Sequence, residues 1–494
     1  MRLHVRSRRR VARPGNGMLR LLAATGLFVV AIFTMAMLVE AQNVTLHDPG
    51  VRGGTIDSGQ PLSTLTAAQG QFFADGLGRF IQVDSVSGNG GSITNEPGVG
   101  LGPRFNNNSC GGCHSQPDVG GTSPRADQFP FIGPNPQTQV FNLDGAQNTL
   151  PSFITSDGPV REARFKFFLN PDGSLSSNPD GGVHDLFVIE GRSDAASCEL
   201  EQPKFSHNQA LNNVIFRIPT PTFGEGLIEN IPDETILANM NANAAQKQAL
   251  GISGHPNHNG NDGTISRFGW KAQNKSLEIF AGEAYNVEIG VTNELFQNER
   301  PSPDEEQKNG LPASCKLNPT PEDSTNFAQG TNGNASIPSD TVQFAMFMRF
   351  LAPPTPSTTN PGGATSIANG REDFIDIGCA MCHTPTLKTA HSSFTSGLDN
   401  VNANLFSDLL DHHMGTNLAD GVSQGGAGTD EFRSAPLWGL GQRIFFLHDG
   451  RTRDLLDAIE EHSSSGSEAN TVIQNFNNLT PQQQQDLLNF LRSL

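Results

Sequence analysis

The stretch "NNNSCGGCHSQP", residues 106–117, decides how this chain is read. It sets two cysteines three apart with a histidine directly behind, and "DIGCAMCHTPTL" at 376–387 does the same. Only six cysteines occur in 494 residues, so four of them in one repeated pattern is not background. Cysteines at that spacing lie on one face of a helical turn. Their sulfurs can form thioethers with the two vinyl groups of a haem, and the next histidine is then carried beneath the ring to bind iron. A redox disulfide or half a zinc site are the rival readings. The first needs no trailing histidine, and the second needs further Cys/His pairs close by. The pattern therefore predicts two covalently bound haem c groups, on Cys110, Cys113 and His114 and on Cys379, Cys382 and His383.

The N-terminus bears on the compartment. Basic "RSRRRVAR" precedes the apolar run Leu21–Val39, and small residues lead to Ala41. This reads as a signal peptide over 1–41, exporting the rest to the periplasm. The run is also nearly long enough to span a bilayer, so a retained N-terminal anchor stays open as the one contact with a membrane. In an oxidising compartment the remaining cysteines, Cys198 and Cys315, read first as a disulfide and second as two separate buried thiols. The net charge of −18 becomes more negative once the Arg-rich leader is removed, which argues against nucleic acid or an anionic lipid surface. A small basic protein suits such a surface better.

With 53 Gly and 32 Pro, the chain favours loops over long regular elements. "TAAQGQFFADGLGRF" upstream of the first motif reads as an amphipathic helix. At the C-terminus Thr480 can cap, Pro481 suits a first helical turn, and Leu487, Leu488, Leu491 and Leu494 form an apolar stripe. Between the motifs "ARFKFFL", "DLFVIEG" and "NNVIFRIPTPTFG" read as strands or extended loops. The expected fold is mainly α: two cytochrome c-like haem domains, with loop-rich, partly β insertions in the first. Expected boundaries are 42–310 for the first domain, 311–337 for a linker and 338–494 for the second. The helix in "SDTVQFAMFMRFLAPP" is expected to open the second.

Longer phrases carry a resemblance. "TPTFGEGLIENIPDE", "SRFGWKAQNKSLEIFAGEAYNVEIGV", "FSDLLDHHMGTNLADG" and "APLWGLGQRIFFLHDGRTRDLLDAIEEH", with the two motifs, resemble the bacterial di-haem oxidoreductases over about 65–494. That family is distantly related to the di-haem cytochrome c peroxidases. The resemblance implies electron entry at the C-terminal haem, from a small cytochrome or cupredoxin. It implies reaction with hydrogen peroxide or a hydroperoxide at the N-terminal haem.

By the same resemblance Glu288 in "YNVEIG" is the acid–base residue, with Glu278 and Glu283 as near alternatives, and Trp270 is a candidate relay between haems. The sixth ligand of the C-terminal haem is expected from His462, or from Met414. His184, His207, His255 and His258 are candidates above the N-terminal haem. "HPNHNGNDG" at 255–263 is oxygen-rich enough to hold calcium, which the relatives place between their haems. One Tyr and two Trp stand against 32 Phe, so few easily oxidised rings surround the haems. The alternatives are a di-haem electron carrier without catalysis, or a haem-dependent oxidase of a thiol or protein side chain.

Overall fold

Two helix crossings organise the molecule, and each is closed by a glycine. The helix Ala67–Phe80 starts at Thr66, whose side chain and that of Gln69 form a reciprocal capping box. It crosses the helix Asp340–Phe350 at Gly76, where a Cβ would sit 2.5 Å from the Gln343 carbonyl oxygen. Phe73 and Phe80 then pack on Phe347 with ring centroids 5.3 and 4.7 Å away. The second crossing joins Gly363–Asp376 to the C-terminal helix Pro481–Ser493. There Gly370 lies so close that a Cβ would be 1.9 Å from the Asp486 carbonyl oxygen. Thr480 and Gln483 cap the C-terminal helix as Thr66 and Gln69 cap the first, with Pro481 in the first turn and Leu487, Leu488, Leu491 and Leu494 all buried.

The computed structural model describes residues 45–53, 57–88, 93, 95–122, 133–302, 305, 310–327 and 337–494. The proposed signal peptide and most of the second half of the linker lie outside these residues. Among the described residues no helix is long and apolar enough to cross a membrane. His47–Leu494 form one compact unit, and a large buried cluster runs from Phe73 through Phe347 to Leu409 and Trp438.

Among the described residues the architecture is mixed rather than mainly helical: 32% helix and 13% strand, the strands in small sheets. The described strands pair as six two-stranded ladders. Glu162–Phe165 runs antiparallel to Val214–Arg217, Phe167–Leu169 to Leu175–Pro179, and Arg104–Phe105 to Phe187–Val188. The Phe-rich runs are therefore strands, each too short to make a sheet face of its own. Strand 162–165 turns Ala163 and Phe165 into the core and leaves Glu162 and Arg164 on its other face. Cys198 and Cys315 form a disulfide, tying the segment around 310–327 to the loop at 190–200.

One placement differs from the sequence reading. The helix Asp340–Phe350 does not open a second unit; it packs on Ala67–Phe80, the helix that leads to the first motif. Its Phe344, Phe347 and Met348 match the Phe73 and Phe80 face, and sequence adjacency to the second motif does not reveal that partner.

Candidate active site: two cavities with one tryptophan between them

Both Cys-x-x-Cys-His segments fold alike. Cys110–Cys113 is a single helical turn with the His114 amide donating to the Cys110 carbonyl at 3.0 Å. In the second copy the His383 amide donates to the Cys379 carbonyl at 2.9 Å. Gly378 precedes that turn at φ 107°, where a Cβ would also meet Leu250 at 2.7 Å. Each motif lines its own cavity: one with about 1090 Å³ of unfilled space beside Cys110, Cys113 and His114, the other with about 1400 Å³ beside Cys379, Cys382 and His383, both partly open to solvent.

The two imidazoles are held alike at Nδ1, His114 with an additional hydrogen bond to the Thr220 backbone. Nδ1 of His114 faces the Gly121 carbonyl oxygen at 3.0 Å, and Nδ1 of His383 faces that of Phe406 at 3.1 Å. With the proton on Nδ1 donated to a carbonyl, Nε2 keeps its lone pair for the cavity, the tautomer a metal-ligating histidine needs. Burial lowers both to about 4, so both rings are neutral at ordinary pH. The rims add a further fit. Arg443, buried on the C-terminal cavity, has Nε and one terminal nitrogen without any partner. Arg161 on the N-terminal cavity has an unpartnered Nε as well. A buried guanidinium without counter-charge, as at Arg443, is costly, and the carboxylate edge of a haem would satisfy it; Arg161 is only half-buried and has the Asp449 charge near by. The residues present fit a haem in each cavity.

Beyond these shared parts the cavities differ. His462, just past the helix Leu455–Glu460, lines the C-terminal cavity; its Nδ1 donates to the Ala458 carbonyl at 2.7 Å, leaving Nε2 free. Burial lowers its pKa too, so it has the same ligand-ready form as His383. Met414 and His448 line this cavity as well. His412 stands at the same wall between Asp408 (3.1 Å) and Glu468 (2.9 Å), with Nδ1 3.6 Å from Cys382 Sγ.

Among the described residues, no histidine besides His114 lines the N-terminal cavity. Its lining includes Glu288 in the segment Tyr285–Ile289, which ends at Gly290 with φ 82° and a Cβ position only 2.4 Å from the Arg104 carbonyl oxygen. The Asn106 and Asn107 amides donate to the Glu288 carbonyl at 2.8 and 3.3 Å, so this segment is tied to the loop just before Cys110. The Asn106 side-chain amide donates to Glu288 Oε2 at 2.8 Å. The carboxyl groups of Glu288 and Glu162 share a hydrogen bond. Burial, then the charge of Glu162, pushes Glu288 well above the ordinary carboxylate range. Burial pushes Glu162 up as well, but the ion pair with Arg164 and the nearby Arg217 outweigh it and hold Glu162 low. Glu162 is thus the anion and Glu288 the acid that donates to it.

Trp270 lines both cavities. Its Nε1 donates to the Ile218 carbonyl at 2.8 Å, and its ring meets His448 edge-on at 6.4 Å.

The four loop histidines do not line either cavity. His184 pairs with Asp180 and stacks on Phe165; His255 pairs with Glu431; His207 and His258 face the Gly173 and Gly263 carbonyls near the surface. Glu283 accepts from Asn274 instead of facing the cavity, and Glu278 does not line it. Among the described residues no group of three or more His, Cys, Asp or Glu gathers to hold a metal ion. In 255–263, the oxygen-rich stretch, Asp262 is engaged by Thr264 and Lys275.

Sequence reasoning missed Glu162, Arg164 and Arg217. A signal was present: charges two apart in a Phe-rich strand share one face. The cross-strand register that sets Arg217 opposite Glu162 is not local.

Two haem-ready cavities, each built on a Cys-x-x-Cys-His turn and sharing one indole, define a di-haem redox protein. Residues 168–494 match the family described as "Di-haem oxidoreductase, putative peroxidase", and the chain belongs to that family. The first motif lies ahead of the matched span, which is shorter than the 65–494 of the resemblance. Haem is accordingly the cofactor class. No curated protein matches the chain. Among solved structures, a Kuenenia stuttgartiensis hydrazine synthase is 18% identical over 31% of this chain and 55% of its own, with a TM-score of 0.21. The chain thus spans about half of that protein's length. A MauG-like protein associated with microbial copper homeostasis is 15% identical over 56% of this chain and 90% of its own, with a TM-score of 0.26. At those scores neither likeness bears on the fold.

Proposed function

We propose that this protein is an exported, periplasmic peroxidase-type oxidoreductase with two covalently bound haem c groups. Hydrogen peroxide or an organic hydroperoxide is reduced in the N-terminal cavity. Electrons from a small cytochrome or cupredoxin enter at the C-terminal haem. The observation that carries this reading is the asymmetry of the two linings: an acid hydrogen-bonded to an anion in one cavity, a ligand-ready histidine in the other.

Cys110 and Cys113 would hold one haem and Cys379 and Cys382 the other, with His114 and His383 as ligands. When bound, the haems supply iron redox chemistry; the chain supplies position and protons. His462 would help hold the second haem in preference to Met414, because its Nε2 is unclaimed while its Nδ1 is anchored. Such a hold suits electron storage, since ligand identity and burial set the potential.

In the first cavity Glu288 holds a proton where O–O cleavage must deliver one to the leaving oxygen. Asn106 fixes its carboxyl orientation, and the Glu162 anion, steadied by Arg164, accepts from it. Trp270 offers an oxidisable ring between the two cavities. Two haem-bearing halves and an N-terminal export segment complete the arrangement.

The test is the optical spectrum of haem-loaded protein with and without peroxide. A high-spin population that converts on adding peroxide is the expected result. Wholly low-spin iron inert to peroxide would overturn the proposal in favour of a simple electron carrier.

A further inference from the structure

Tyr285 is the single tyrosine of the chain, against 32 phenylalanines. Elsewhere the fold uses the aromatic ring without its hydroxyl, so the hydroxyl at 285 calls for its own explanation. The ring is buried on the wall of the N-terminal cavity, in the same short segment as Glu288, and meets Phe344 edge-on at 5.0 Å.

A buried phenol needs one partner, and a backbone carbonyl would serve. This one is placed between two carboxyl groups. Its O–H donates to Asp340 Oδ2 at 3.2 Å, and Asp84 forms a second hydrogen bond to it. Asp340 is paired at 3.0 Å with Arg79, whose side chain is 38% exposed, so the chain of polar groups runs from the cavity wall to the surface. Burial and the charge of Asp340 hold Asp84 well above the ordinary carboxylate range; burial raises Asp340 too, but less, because Arg79 pairs with it. Asp340 is then the group left to receive a proton. Asp323, also close, is occupied in accepting the Asp340 and Thr341 amides.

Removing an electron from a phenol makes its O–H strongly acidic. Oxidation is easy only where a base already sits in hydrogen-bond contact, and that is the arrangement at Tyr285. We propose that Tyr285 is a one-electron redox site of the N-terminal cavity, giving its electron to the peroxide-oxidised haem there and its phenolic proton to Asp340. This rests on the reading that peroxide is reduced in this cavity. Reduction of a hydroperoxide to an alcohol and water takes two electrons and two protons. With both irons ferric, one electron comes from the haem centre and the second from Tyr285, while Glu288 supplies one proton and solvent the other; a donor electron later restores the haem centre. The O–H bond of Tyr285 breaks, a neutral phenoxyl radical remains, and the Asp340 carboxylate becomes a carboxylic acid. An electron from the donor side and the proton on Asp340 restore the phenol.

Because the tyrosine is unique, labelling every tyrosine labels this one alone. Haem-loaded diferric protein, grown with and without ring-deuterated tyrosine, is mixed with hydrogen peroxide, freeze-quenched and examined by electron paramagnetic resonance. The expected result is a radical signal that narrows on deuteration, is absent in Tyr285→Phe and is at least several-fold weaker in Asp340→Asn. A signal indifferent to the label, or undiminished in Tyr285→Phe, overturns the proposal. Should Asp340→Asn fail to fold, the label and the Phe variant, which removes one oxygen only, still decide. If peroxide leaves the haem spectrum unchanged, the peroxidase reading fails separately. A photo-excited ruthenium complex with persulfate then oxidises the same protein without peroxide. A label-sensitive radical in that arm supports Tyr285 as the redox site, and its absence overturns it.

Discussion

The Glu162–Glu288 pair makes the most quantitative prediction. Substituting Glu162→Gln keeps the size and hydrogen-bonding capacity of the side chain but removes the charge that discourages ionisation of Glu288. Two unit charges about 4 Å apart at an effective dielectric of ~20 interact by about 4 kcal/mol. Arg164 and Arg217 lie against Glu162 and offset part of that. If a third survives, it is worth roughly one pH unit at ~1.4 kcal/mol per unit. Burial, the larger cause, stays in place, so Glu288 should remain raised but less so.

The assay is stopped-flow peroxide turnover against pH. Activity of the wild type should fall on the alkaline side as Glu288 loses its proton. In Glu162→Gln that fall should begin about one pH unit lower. Glu288→Gln should lose about 10²–10⁴-fold in rate and show no alkaline limb from this group. Stability supplies a second readout. A carboxyl raised in the folded state stabilises fully below its unfolded pKa and loses that contribution as pH rises through its folded pKa. Melting temperature should therefore decline toward alkaline pH in the wild type and decline less in Glu288→Gln. An alkaline limb that stays put or moves upward in Glu162→Gln would refute the assignment of donor and acceptor.

Three other expectations follow from geometry. His462→Ala should convert the low-spin C-terminal haem to a five-coordinate spectrum, while Met414→Ala should leave it low-spin; loss of the sixth ligand in neither variant would reject both residues. Arg443→Met should raise the denaturation midpoint of haem-free protein by removing an unpaired buried cation, yet lower that of haem-loaded protein, because the counter-charge at the haem edge then loses its partner. Gly370→Ala should cost about 1–3 kcal/mol or more by chemical denaturation, since its new methyl would meet Asp486 backbone rather than a movable side chain.

How much was legible depends on how local each feature is. The Cys-x-x-Cys-His turns, the Thr480 cap and the buried Leu stripe of the C-terminal helix are all determined within a few residues, and the structure contains them as read. The Cys198–Cys315 disulfide followed from cysteine number and compartment rather than from any local pattern. What stayed hidden are pairings across the chain. Asp340–Phe350 precedes the second motif but packs with the helix of the first, because Gly76 and Phe73 offer the matching face. Glu162 becomes part of a site only when strand 214–217 pairs beside it and Asn106 brings Glu288 over. The excess of helix in the expectation has the same origin. Short strands such as Phe187–Val188 exist only through a distant partner, Arg104–Phe105, and carry too few residues for a period to register.

The two oxidisable rings near the N-terminal cavity are set up for different ends, and the hydrogen bonds say which. Trp270 donates its N–H to the Ile218 carbonyl, a poor base with no charge behind it. An indole that loses an electron there keeps its proton, remains a cation, and is driven to recover an electron quickly from the other cavity it lines. Tyr285 donates to a carboxylate, so its oxidation ends in a neutral radical once the proton has moved. A neutral species costs far less in a buried, apolar wall than a cation does. The first arrangement favours passage of charge between cavities and the second favours holding it. On the proposed function, a chain with one tyrosine and two tryptophans that places one of each against the same cavity would separate those tasks through the partner of a single hydrogen atom.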